Sequence, residues 1–162
     1  MQFNFFSRFL CCIGDTSEFI IKIFENLLDS SENFSLVKGD LRKSKNPRVR
    51  VISSNIVQNY LMGEKLPNSF NKTISYFKNY KDCVLIFIRD TNLKSVSETL
   101  KEYKDKKFYK TGHDKLIKNY GIGAQIIRSL NIKKMILVTR SKKKVVGLDG
   151  YSIKITKQEI IK

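Results

Sequence analysis

The sequence predicts one α/β domain in which a mixed β-sheet is flanked by helices. Three observations predict it. Two short, nearly continuous apolar runs, residues 83–88 and 135–139, have the composition of strands covered on both faces. Phe70, Ile74 and Phe77, and later Ile122, Ile126 and Leu130, recur at helical spacing. The 162 residues, 41% of them hydrophobic, suffice for one core of two or three layers. No internal repeat or interdomain linker is visible, so residues 14–158 read as one domain behind an N-terminal arm, residues 1–13, with no clear period.

Taken in order, residues 17–24 are β-branched and aromatic enough for a first strand. Residues 29–33 are turn-forming, residues 34–38 return as a second strand, and Gly39-Asp40 closes the hairpin. Beyond a charged loop with Pro47, residues 49–52 form a third strand whose alternation puts Val49 and Val51 on one face, Arg50 and Ile52 on the other. Residues 55–61 read as a short helical turn. Pro67 suits a helix start, and that helix ends near Tyr80. Residues 83–88, the most apolar run, belong at the sheet centre. Residues 95–103 read as a polar helix and 104–113 as a basic loop holding a solvated His113. A helix over 121–131 follows, with Gly121 and Gly123 allowing close packing. The strand 135–139 leads into the basic loop 140–144, and Gly147 and Gly150 turn the chain into a last strand, 151–156. The carboxyl ends of strands in such sheets are where ligands, often phosphorylated ones, bind.

Composition narrows the function. Lys and Arg number 31 against 15 Asp and Glu, a formal charge of +16, which suits anionic partners such as nucleotides or nucleic acid. Drift toward residues favoured by AT-rich codons is an equal account of that excess. Cys11, Cys12 and Cys83 form no disulfide ladder, and no apolar run spans a membrane, so the expectation is a cytoplasmic protein away from membranes. No phosphate-loop motif, paired carboxylates or Ser/His/Asp spacing occurs. The nearest nucleic-acid candidate is the basic, aromatic stretch 101–110, which reads better as a solvated segment.

One stretch is specific: LIKNYGIGAQIIRSLNIKKMILVT, followed by KKVVGLDGY. It resembles the C-terminal part of GTP cyclohydrolase II, the zinc enzyme that opens riboflavin synthesis, whose members read D-L-R-D-Y-G-I-G-A-Q-I-L-R-D-L with a later N-N-P-x-K. Residues 49–53 resemble that family's V-R-V-H-S, and the likeness extends over about residues 10–158. It implies an α/β fold, GTP as ligand and a homodimer. By the same resemblance Arg50, Ser53, Thr139 and Lys144 stand at nucleotide-contact positions. A strand cap at Thr139 and a solvated loop at Lys144 are the competing readings.

The departures concern the chemistry. The three zinc-binding cysteines of the family fall on Asn55, Leu66 and Asn68, and neither leucine nor an amide replaces a thiolate. The expectation is therefore no zinc. The general base and the nucleophilic arginine fall on Leu116 and Lys118; leucine accepts no proton, and lysine is a nucleophile only with a depressed pKa. Asp114 is the nearest substitute carboxylate. The family's R-Q-E-G-R reads Arg89-Asp90-Thr91-Asn92-Leu93 here. Three functions stay open on the sequence: a degenerate, zinc-free relative that keeps nucleotide binding; an active cyclohydrolase with displaced groups; and a basic, non-enzymatic module for nucleic acid or protein.

Overall fold

The structure, a computed structural model, describes residues 3–12, 18–27, 29–54, 68–89, 97, 112–142 and 148–161, with the backbone alone at 3–12, 18, 54, 68–69, 112–120 and 149. Its centre is a seven-stranded sheet. Four strands precede the first helix: β1 (Phe3–Cys12), β2 (Glu18–Asn26), β3 (Glu32–Lys38) and β4 (Arg48–Ser54). Helix α1 (Asn68–Lys78) leads to β5 (Cys83–Arg89), helix α2 (Gly112–Ser129) to β6 (Lys134–Thr139), and a short 3-10 turn (Asp149–Tyr151) to β7 (Lys154–Ile160). The spatial order is β1-β2-β3-β5-β4-β6-β7. β1, β2, β3 and β5 pair antiparallel; β5, β4, β6 and β7 pair parallel. The mixed sheet is as the sequence predicts, and β5, its most apolar run, is the central strand.

The helices lie on opposite faces for a topological reason. The β4-α1-β5 connection steps one way along the sheet and β5-α2-β6 steps back past β4. Right-handed crossovers then require opposite faces. The packing agrees. Ile74 and Phe77 of α1 bury against Leu36, Cys83, Leu85 and Val138. Ala124, Ile126, Ile127 and Leu130 of α2 bury against Val49, Val84, Ile86 and Ile88. Val51 joins the α2 side and Ile52 the α1 side, the alternation expected of β4. A Cβ on Gly123 would stand 3.4 Å from Ile88 Cδ1 and 3.5 Å from Val51 Cγ1, so the glycine does let α2 approach the sheet closely.

Three expectations are corrected. Within the predicted N-terminal arm, Phe3–Cys12 is an edge strand on β2, with a bulge between Phe5 and Ser7 that puts its two halves out of phase. Helix α2 begins at Gly112, not near 121, so His113, Asp114, Leu116 and Lys118 are helical rather than in a loop. The last strand starts at Lys154, because residues 149–151 close a 3-10 turn in which Tyr151 N–H bonds the Leu148 carbonyl. The α2 exit is as expected: Asn131 takes φ +60° and Ile132 N–H bonds the Ile127 carbonyl, a left-handed C-cap. The readings at 55–61 and 101–110 lie outside the described residues, as does nearly all of 95–103.

A polar clamp joins the end of α1 to both β4 and β7. Arg48 stacks its guanidinium 3.4 Å over the Tyr80 ring and its Nε donates to Glu159 Oε2 at 3.0 Å. The Tyr76 hydroxyl and Lys157 Nζ also donate to Glu159. Burial alone would raise the Glu159 carboxyl, but bonds from Tyr76, Lys157 and Arg48 outweigh it and hold it at about 2 instead of 4.5. A depressed carboxylate contributes stability above its unfolded pKa and loses it as pH falls toward the folded one. The urea midpoint is therefore expected to fall between about pH 5 and about pH 2 more steeply in the parent protein than in Glu159→Gln. Equal slopes would exclude the clamp.

Candidate functional site

Because β4, β5 and β6 run parallel, Ser54, Arg89 and Thr139 end at one edge of the sheet. From β4 the chain leaves toward β5, and from β6 it leaves the other way toward β7. Neighbouring strands whose outgoing connections diverge form a switch point, where a crevice opens. The register shows it. β4 pairs with β5 from Arg48↔Cys83 to Ser54↔Arg89, but with β6 only at Arg48↔Ile136 and Val49↔Leu137. Arg50 is the first residue of β4 past the last of those pairs.

Arg50 is only 5% exposed. Burial, and then the charge of Arg140, pull its guanidinium down to about 10. A buried cation with a second, exposed cation beside it is disposed to take an anion, which relieves both the repulsion and the lost hydration. Thr139 lies across the sheet from Arg50, on the α2 side with Met135 and Leu137. Its Oγ1 is buried and has no hydrogen-bond partner among the described residues. Ser53 is exposed on β4, and by alternation it shares the α2 side with Val51.

The predicted residues therefore divide. Arg50, Ser53 and Thr139 come together around one strand edge, Arg50 and Thr139 from opposite faces. Lys118 sits on α2 five residues before Gly123, which touches Ile88. A rise of 1.5 Å per residue carries it about 7.5 Å toward the same edge. Leu116 lies further out along the helix. Lys144, Asn55 and Leu66 lie outside the described residues, and Asn68 is the first residue of α1. The sequence places Arg140 in a basic loop at a strand's carboxyl end and Arg89 at the family's R-Q-E-G-R, without assigning either as a site residue. Their signal was positional: Arg140 directly follows β6, and Arg89 is the last residue of β5.

The family model for GTP cyclohydrolase II matches residues 13–159. The chain belongs to that family. The GTP cyclohydrolase II family serves riboflavin biosynthesis, and the relatives carry that name. RibBA of Chlorobium phaeovibrioides is 28% identical over 152 residues, 87% of this chain and 37% of that protein. The monofunctional chloroplastic RIBA 2 of Arabidopsis thaliana is 28% identical over 145 residues, 82% of this chain and 29% of that one. RibBA of Aquifex aeolicus reaches 40% over 53 residues, 33% of this chain and 13% of its own. The crystal structure of RibBX, a two-domain 3,4-dihydroxy-2-butanone 4-phosphate synthase from A. baumannii, superposes with a TM-score of 0.63 at 18% identity, over 99% of this chain and 40% of that one. That likeness shows the fold. The chain spans about two-fifths or less of the length of each of these proteins.

The zinc of GTP cyclohydrolase II can be tested against the cysteines this chain has. All three lie at the wrong end. Cys83 opens β5, and Cys11 and Cys12 pair with Phe19 and Glu18 at the start of β2. The six residues from Cys83 to Arg89 put the carboxyl end of β5 about 20 Å away. Cys83 is also fully buried, and burial pushes its thiol up to about 12, so it stays protonated and is no thiolate ligand. These cysteines do not fit a zinc centre at the crevice. Among the described residues no helix is long and apolar enough to cross a membrane.

Proposed function

We propose that this member of the GTP cyclohydrolase II family binds GTP or another nucleotide without zinc and has little or no ring-opening activity. One observation carries the reading. The switch-point crevice keeps a desolvated Arg50 facing Arg140, while every cysteine of the chain stands at the opposite end of the sheet. In this reading Arg50 and Arg140 hold phosphate oxygens. Thr139 Oγ1 gains a partner, Ser53 adds a contact at the rim, and Lys144 is a further nucleotide contact by the resemblance alone. Leu116 and Lys118 provide no base and no activated nucleophile. The resemblance also implies a homodimer.

Zinc analysis, formate release and GTP titration on the purified chain test this together. The expected result is substoichiometric zinc, no formate above the blank, and GTP binding that weakens as salt rises. Stoichiometric zinc with formate release would replace this reading with the active one. Formate release abolished by Lys118→Ala would then place the chemistry on α2.

A further inference from the structure

The amino-terminal ends of the parallel strands form a second edge, at the opposite end of the sheet from the crevice. Main-chain bonds hold it together. Arg48 N–H donates to the Asp82 carbonyl, Ile136 N–H to the Pro47 carbonyl and Lys154 N–H to the Lys133 carbonyl, at 3.1, 3.0 and 2.9 Å. Exposed cations stand all along it: Arg42 and Lys45 between β3 and β4, Lys81 before β5, Lys133 and Lys134 entering β6, and Lys154 opening β7. Lys134 and Lys154 are register partners, so two like charges stand one strand spacing apart, about 4.8 Å, and repel. Among the described residues no ion pair includes any of these six. The described carboxylates of the edge are already engaged. Asp40 accepts Arg42 N–H at 3.0 Å and pairs with Lys43, and Asp82 accepts Asp40 N–H at 3.1 Å.

Length and chemistry select the partner. From β3 to β7 the edge crosses four strand spacings, about 19 Å. One strand of a nucleic-acid duplex carries about six phosphates over that distance. Tyr80, the ring nearest this edge, is covered by Arg48, and the exposed Leu27, Phe34 and Ile160 lie toward the other end. Unpaired bases would therefore find no described ring to stack on, whereas a phosphate backbone needs only the cations. We propose that this edge docks on the phosphate backbone of a nucleic-acid duplex. Cations carried on hydrogen-bonded loops lose little freedom on meeting a row of phosphates, which favours binding. The surface is separate from the crevice and does not depend on the nucleotide reading.

Titration of the full chain with a short fluorescent duplex, over a series of salt concentrations, tests it. Affinity should fall with a log–log slope of about −4 or steeper. Lys133→Gln with Lys154→Gln should make that slope shallower by about 2, and arginine at both positions should keep it. Lys72→Gln with Lys142→Gln removes the same charge from exposed positions on α1 and after β6, and should move the slope by less than about 0.5. At constant ionic strength GTP should not displace the duplex. Absence of duplex binding at low salt, or equal slope changes in the two glutamine pairs, would overturn the inference and leave the nucleotide reading standing. Displacement by GTP would move the duplex to the crevice and overturn it as well. Polyglutamate or anionic vesicles that compete as well as unlabelled duplex at matched charge would assign the edge to another partner and overturn it.

Discussion

Replacing Arg50 with methionine is expected to weaken GTP binding by at least about thirtyfold without unfolding the chain. The first half follows from where Arg50 stands. It is buried past the last β4–β6 pair, beside Arg140, at the first point where β4 has parted from β6 but is still paired with β5. A phosphate reaching that point trades water for a buried cation, Arg50, with the exposed Arg140 beside it, so the attraction to Arg50 is weakly screened. The second half follows from the same burial. A desolvated cation facing a like charge costs the fold free energy, and methionine fills similar volume without that cost. The melting temperature is therefore expected to stay within about 3 °C of the parent or to rise. Titration at one fixed ionic strength, with a thermal melt on the same preparation, measures both. Unchanged GTP affinity in a folded variant would remove Arg50 from the site.

The largest effect on stability is expected at Gly39. Its φ of +81° is a left-handed conformation that side chains disfavour by about 1–2 kcal/mol. Space is the greater problem: a Cβ there would stand 2.3 Å from both Asp82 Oδ1 and the Lys81 carbonyl oxygen. The carbonyl is main chain and cannot rotate away. Moving it disturbs Asp82, whose carboxylate accepts from Asp40 N–H at 3.1 Å and whose carbonyl accepts from Arg48 N–H at 3.1 Å. Those bonds align the starts of β4 and β5, on which the crevice register depends. Gly39→Ala is expected to lose at least about 3 kcal/mol by chemical denaturation. Gly150→Ala is the control. Gly150 is exposed, with nothing within 4 Å of an added Cβ, and should change stability by no more than about 0.5 kcal/mol. Comparable losses at both glycines would reject the steric account.

The two parts of the chain that resisted reading did so for physical reasons. In β1 the bulge between Phe5 and Ser7 shifts the pairing of the second half by one position, so a strict period of two does not run through the strand. At the start of α2 the residues HDKLIKNY carry only a faint apolar stripe, so no helical period marks the start at Gly112. Elsewhere burial wrote the pattern plainly. β5 lies between β3 and β4 with a helix over each face, and it reads CVLIFIR without a polar residue before its last. β4 meets helices on both sides, and its alternation of Val49 and Val51 against Arg50 and Ile52 is visible before any coordinates.

By itself, then, the sequence determined the family, the sheet-and-helix composition, the two faces of β4, and the absence of thiolates from the positions where zinc would sit. Each is a local property of residue type and spacing, so it needs no knowledge of neighbours. Only the tertiary structure decided that Arg50, Arg89 and Arg140, far apart in the chain, end at one edge. That outcome depends on two right-handed crossovers stepping in opposite directions past β4, and on a β4–β6 ladder that stops after Val49↔Leu137. Neither strand order nor the length of a ladder is written in the period of any one segment. They are set by how the helices pack once the whole sheet has formed.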